Sequence, residues 1–251
     1  MMKKGVIVTG GGKGIGKQIC LDFLAQSYQV CFIDIDKEAG TNFCDTNEDL
    51  YFFHGDIKDK QILENFILFA LKKMKRIDIL INNACINKRG ILSNASYEDF
   101  DEVLAVGLKA PYALALLCKQ ELVKNNGKII NIASSRAFQS EPDSETYAST
   151  KGGIVALTHS LAMSLAPNVL VNCIAPGWIH VDEGEVISQT DQKSIPAGKV
   201  GSPKDISEMV LYLCNQTFIT GETFTIDGGM SKRMIYHNDW YWKFEDDKDS
   251  L

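Results

Sequence analysis

The sequence predicts an α/β fold: one doubly wound parallel sheet with helices on both faces. Three observations predict it. Short apolar runs rich in β-branched residues alternate with stretches of helical periodicity along the whole chain. A glycine-rich loop, Thr9-Gly10-Gly11-Gly12-Lys13-Gly14-Ile15-Gly16, joins the first apolar run to the first helical stretch. Polar or turn residues (Asp34, Asp56, Asn83, Ser134 and Pro176) follow the ends of successive apolar runs. Such runs suit a sheet buried on both faces, and right-handed crossovers make it doubly wound.

The elements follow in order. Gly5–Thr9 reads as the first strand, and residues 15–27 as a helix with Ile15, Ile19, Phe23 and Leu24 on one face. Val30–Ile33 is a strand ending at Asp34, and Tyr51–His54 a strand ending before Gly55-Asp56. Residues 59–73 form an amphipathic helix, and Ile77–Ile81 a strand running into Asn82-Asn83. Residues 98–124 read as one long helix, where Pro111 removes a hydrogen bond and predicts a kink. Lys128–Ile132 is a strand ending before Ser134, and residues 147–166 a helix closed by Pro167. A strand at 169–174, a helix at 203–214 and a strand at 222–226 complete the pattern. Residues 178–200 read as a loop or short lid. No linker or repeat divides residues 1–235, which are expected to form a single domain. Residues 236–251, with Trp240-Tyr241-Trp242 and an acidic end, form a tail.

A length of 251 residues and 45% hydrophobic content suit a full core. The net charge of −6 argues against a nucleic-acid partner. Seven cysteines stand singly, with no metal-like spacing, so they read as reduced thiols of a cytoplasmic protein. The first strand starts too early for a signal peptide, and no apolar run is long enough for a membrane span. The four histidines are dispersed and form no metal set. Lys72–Arg76 reads as a charged helix end facing water.

In a doubly wound sheet, ligands bind outside the carboxyl ends of the strands. The residues that follow those ends therefore converge on one rim. Gly10, Gly14 and Gly16 let the backbone turn tightly and approach a pyrophosphate, which a helix N-terminus stabilises. The bland alternative is a plain glycine-rich turn, and the strand–loop–helix context argues against it. Asp34, about two dozen residues on, can hold the adenosine ribose hydroxyls and repels a 2′-phosphate, which favours NAD over NADP. Lys13 pulls the other way, because a loop cation could pair with that phosphate. Tyr147 and Lys151 share a helix face by their spacing. A phenol, an ammonium and the upstream Ser134 hydroxyl supply an acid–base group, its pKa tuner and a substrate anchor.

These pieces resemble the classical short-chain dehydrogenase/reductase family over residues 5 to about 235. The resemblance rests on Thr-Gly-x-x-x-Gly-Ile-Gly at 9–16, Asn-Asn-Ala at 82–84, Ser134, Tyr-x-x-x-Lys at 147–151, Pro176-Gly177 and Asp227-Gly228-Gly229. It implies a Rossmann fold and an NAD(P)-dependent enzyme acting on CH–OH and C=O groups of a small alcohol or ketone. It also implies a homodimer or homotetramer packed through the two long helices. Tyr147 would exchange the proton and Ser134 would hold the substrate oxygen. Lys151 would favour the phenolate and hold the nicotinamide ribose. Gly10, Gly12, Lys13, Gly14, Ile15, Gly16, Asp34, Ile35, Asp56, Ile57, Asn83, Ala84, Tyr147, Lys151, Pro176, Gly177 and Ile179 would contact the cofactor. No metal is implied.

Three positions depart from the family pattern. Gly107 stands where the family has a catalytic asparagine, which leaves space for another water or a poor proton relay. Cys85 replaces a glycine and would crowd the cofactor side of the rim. Val181 replaces a threonine that binds the cofactor. Two alternatives to an NAD-dependent oxidoreductase stay open: an NADPH-dependent carbonyl reductase, and a weakly catalytic dinucleotide-binding sensor or scaffold permitted by Gly107.

Overall fold

Seven parallel strands form one sheet in the order β3-β2-β1-β4-β5-β6-β7 in the computed structural model, which describes residues 2–182 and 184–234. The strands are β1 (Gly5–Thr9), β2 (Gln29–Asp34), β3 (Leu50–His54), β4 (Ile79–Asn82), β5 (Lys128–Ile132), β6 (Leu170–Pro176) and β7 (Thr223–Ile226). The chain reverses its direction of winding between β1 and β4, which pair with Val6 opposite Ile79. Between the strands run α1 (Gly14–Ala25), α2 (Lys37–Cys44), α3 (Lys60–Met74), α4 (Tyr97–Leu104), α5 (Ala110–Lys124), α6 (Glu145–Leu165), α7 (Gln189–Ser194) and α8 (Pro203–Asn215).

Alternate side chains of each strand feed opposite faces, so the sheet has two cores. Ile7, Cys31, Leu80 and Ile129 pack against Phe66 of α3 and Leu114 and Leu122 of α5. Val6, Val8, Phe32 and Ile130 pack against Ile19 and Phe23 of α1 and Ile206 and Val210 of α8. This is the doubly wound Rossmann architecture expected from the alternating runs.

The differences from the sequence reading have local causes. The helix α2 carries little signal because it is eight residues long and polar, with only Gly40 and Phe43 buried. Its start is fixed by Asp36, whose side chain accepts the Ala39 amide. The expected long helix at 98–124 is interrupted by a π-helical turn, Ala105–Lys109, between α4 and α5. Pro111 thereby falls in the first turn of α5, where its missing amide costs little. The segment 178–200 carries the short helix α7, and Ile179 bridges to Gly201. Arg76 does not simply face water. It donates two hydrogen bonds to the buried Asp78, which also accepts the Gly5 amide. The tail at 236–251, with Trp240-Tyr241-Trp242, lies outside the described residues.

Acidic groups tie helix ends to the body. Asp22 of α1 accepts hydrogen bonds from Lys204 and Ser207 of α8. Asp205, the third residue of α8, accepts from the Ser202 amide and hydroxyl and from Lys199. Burial pushes the Asp205 carboxyl up, but the Lys199 and Ser202 hydrogen bonds outweigh it and hold the group at about 2. A carboxyl depressed on folding contributes stability that is present above its unfolded value of about 4 and lost as pH falls towards the folded one. Urea midpoints measured from pH 5 to pH 2 should therefore fall less steeply below pH ~4 for Asp205→Asn than for the wild type. Parallel curves would contradict the assignment.

Candidate active site

A cleft of about 770 Å³ opens along the carboxyl edge of the sheet. Its near wall is the glycine loop. Gly10 and Gly14 have φ of +66° and +53°, a region that L side chains rarely adopt. A Cβ on Gly16 would lie 2.0 Å from the Gly10 carbonyl oxygen, so α1 can seat on the loop only without one. Lys13 offers no side-chain cap to α1, which leaves the first-turn amides open to an anion. The loop is also laced to the end of β4. The Asn83 side-chain amide donates to the Thr9 and Gly10 carbonyls, and the Asn83 and Ala84 backbone amides donate to the Thr9 hydroxyl.

Asp34, at the end of β2, is fixed from two sides. The Gly12 amide donates to its Oδ2 at 2.8 Å, and the Asp36 amide to its Oδ1 at 3.0 Å. Lys13 pairs with a different carboxylate, its Nζ lying 2.6 Å from Asp36 Oδ2. Ile35 is 66% exposed at the cleft edge, an apolar surface next to the bound carboxylate. Asp56 and Ile57 follow β3, where the Asp56 side chain accepts the Lys58 amide.

At the other end of the cleft stand Ser134, Tyr147 and Lys151. Ser134 leaves β5 and its Oγ accepts the Arg136 amide at 3.2 Å, which leaves the hydroxyl proton to point elsewhere. Tyr147 and Lys151 lie one turn apart on α6. Lys151 is 3% exposed, and its Nζ donates to the Ile132 carbonyl at 2.9 Å, 5.4 Å from the centre of the Tyr147 ring. Burial raises the Tyr147 phenol above its ordinary value. The Lys151 charge, the Ser134 hydroxyl and the Arg136 charge oppose that rise, while Cys85 adds to it.

The cleft is lined by Gly10, Lys13, Gly14, Ile15, Asp34, Ile35, Asp56, Ile57, Asn83, Ala84, Ser134, Tyr147, Lys151, Pro176, Gly177 and Ile179. Gly12 and Gly16 do not line it and act by close approach instead. A Cβ on Gly12 would sit 2.9 Å from the Asp34 carboxylate. Sequence reasoning missed Lys58 and Glu102, a charged pair on the wall that also involves Asp56 and Lys88. No local signal marks it, because Lys58 and Glu102 meet only through the fold. Val181 and Cys85 also line the cleft. Glu145 is engaged structurally, accepting the Ile91 amide.

At Gly107 there is no room for a side chain without a shift: a Cβ would lie 2.3 Å from the Thr150 methyl. Thr150 is buried and its hydroxyl donates to the Thr146 carbonyl. The neighbouring turn of α6 thus fills the position where the family's asparagine would enter.

Comparison with known proteins sets this geometry in a family. A family model described as enoyl-(acyl carrier protein) reductase matches residues 10–231. An uncharacterized oxidoreductase of Thermotoga maritima is 38% identical, over 93% of this chain and 98% of its own. The solved structure of an apo SCOR enzyme from Clostridium thermocellum is 64% identical with a TM-score of 0.94, covering 97% of this chain and 99% of that one. Two further structures have TM-scores of 0.84 and cover 92% of this chain and 100% of their own. They are ElxO with NADP bound (31% identical) and a 3-ketoacyl-(acyl-carrier-protein) reductase of Brucella melitensis with NADH (27%).

The contact at Gly107 gives a stability test. Gly107→Ala overpacks the site and should cost about 1–3 kcal/mol in urea unfolding. Thr150→Ser removes the methyl and keeps the hydroxyl, so the double variant should recover most of that loss. Equal stability of the single and double variants would contradict the packing account.

Proposed function

Because the chain belongs to the short-chain dehydrogenase/reductase family of oxidoreductases, we propose that it moves a hydride between NAD and a secondary alcohol or ketone, with Tyr147 as the acid–base group. One observation carries this reading: a single cleft has Asp34 at one end and Ser134, Tyr147 and Lys151 at the other. The bare glycine loop and the uncapped start of α1 between them suit a pyrophosphate.

When bound, the nicotinamide supplies or accepts the hydride. The chain's own residues do the rest. The glycine-loop amides and α1 N-terminus hold the pyrophosphate, and Asp34 accepts hydrogen bonds from the adenosine ribose. Asn83 and Ala84 support that side of the cleft, while Pro176, Gly177 and Ile179 present backbone groups at the other. Ser134 donates its proton to the substrate oxygen while one of its lone pairs accepts the Arg136 amide. Tyr147 gives a proton to that oxygen during reduction, or takes one during oxidation. Lys151 favours the phenolate by its charge.

NAD is preferred to NADP in this reading because Asp34 would face a 2′-phosphate, and Lys13, the nearby cation, is paired with Asp36. A second reading is cofactor binding with slow turnover, favoured by the Thr150 methyl that fills the space beside Gly107. Apolar side chains left exposed on α5 and α6, Tyr112, Leu116 and Met163, support a homodimer or homotetramer. Among the described residues no helix is long and apolar enough to cross a membrane. A cytoplasmic location is part of the proposal, in keeping with cysteines that are all free.

The test follows nicotinamide absorbance against sugars, polyols, steroids, keto acids and 3-oxoacyl thioesters, with Tyr147→Phe in parallel. Turnover in the wild type should drop by about 10²–10⁴-fold in the variant, with NADH affinity nearly unchanged. A variant that turns over like the wild type would refute the role of Tyr147. NADH binding without turnover on any substrate would favour the second reading.

A further inference from the structure

Arg136 lies near both Ser134 and Tyr147. Its backbone amide donates to Ser134 Oγ at 3.2 Å, and its guanidinium carbon lies 5.9 Å from the centre of the Tyr147 ring. Lys151 Nζ lies 5.4 Å from the same centre. Two cations from different elements therefore approach one phenol: Lys151 on α6 and Arg136 on the turn after β5. Tyr147 is the third residue of α6, so the positive end of that helix acts in the same sense. On its solvent side Arg136 pairs with Glu141, whose side chain is 60% exposed. A carboxylate so well hydrated holds the guanidinium in place and is screened from the phenol beyond it.

We propose that Arg136 is a positioning residue of this site: a second cation, paired with Glu141, that stabilises the Tyr147 phenolate together with Lys151 while its amide orients the Ser134 hydroxyl. The proposal rests on the acid–base reading of Tyr147 and adds a residue that neither the Tyr-x-x-x-Lys pattern nor the serine marks. Lys151, Arg136 and Cys85 are the titratable groups that act on the phenol, and Glu141 stands behind Arg136. Burial opposes ionisation, so a lone lysine works against a substantial penalty. A second cation at about 6 Å offsets part of it.

The phenol can be titrated without knowing the substrate. Near-ultraviolet phenolate absorbance of the protein, minus that of Tyr147→Phe, isolates the Tyr147 midpoint. The same subtraction is made for Arg136→Gln, Arg136→Met and Arg136→Lys. The two neutral variants should raise the midpoint by about half to one pH unit, a three- to tenfold fall in phenol acidity. Arg136→Lys should stay close to the wild type. An unchanged midpoint in both neutral variants would overturn the proposal, and so would an equal shift in Arg136→Lys, which keeps the charge. A Tyr147→Phe protein that still turns over substrate would remove the acid–base reading instead, and the titration would still report whether Arg136 tunes the phenol.

Discussion

With a Cβ on Gly16, α1 would collide with the Gly10 carbonyl oxygen at 2.0 Å. The absence of that one atom lets the helix sit directly on the loop that precedes it. Its first-turn amides then face the cleft rather than a side chain, and the loop can come close enough to β2 for the Gly12 amide to reach Asp34. Asn83 holds the loop from the other side with two side-chain hydrogen bonds. The shape of this end of the cleft thus depends on glycine positions where a side chain would intrude, with Asp34 and Asn83 holding the loop by their side chains.

The opposite end depends on charge rather than close approach. A tyrosine enclosed by protein ionises less readily than one in water, so the acid–base role proposed for Tyr147 requires cations nearby. Lys151 is placed by its bond to the Ile132 carbonyl, at the last residue of β5. Ser134 and Arg136 leave the same strand. The end of β5 therefore sets the position of the hydroxyl and both cations, while α6 supplies the phenol. The two ends of the cleft share one sheet edge, which explains how residues spread from Gly10 to Ile179 meet.

Much of this is legible in the residues themselves. The strand–glycine-loop–helix context places Gly10 and Asp34, and the Tyr-x-x-x-Lys spacing places Tyr147 and Lys151 on one face, because these are local or periodic features. What escapes such a reading is set by contacts distant in sequence. The Lys58–Glu102 pair joins residues that no periodicity links. The Gly107–Thr150 contact depends on how closely the π-helical turn approaches α6, and a glycine in sequence reads as empty space until its neighbour is known. Lys13 reads from sequence as a cation free for a phosphate. Its pairing with Asp36 arises because α2 begins there, and that helix is too short and polar to be read.

In the proposed function Asp34, pinned by the Gly12 amide, selects the dinucleotide at the adenosine end. Calorimetric titration of NADH and of NADPH into the wild-type protein tests it most directly. One NADH per chain is predicted, bound at least about tenfold more tightly than NADPH, a difference of ~1.4 kcal/mol or more. Equal affinity, or tighter binding of NADPH, would contradict it.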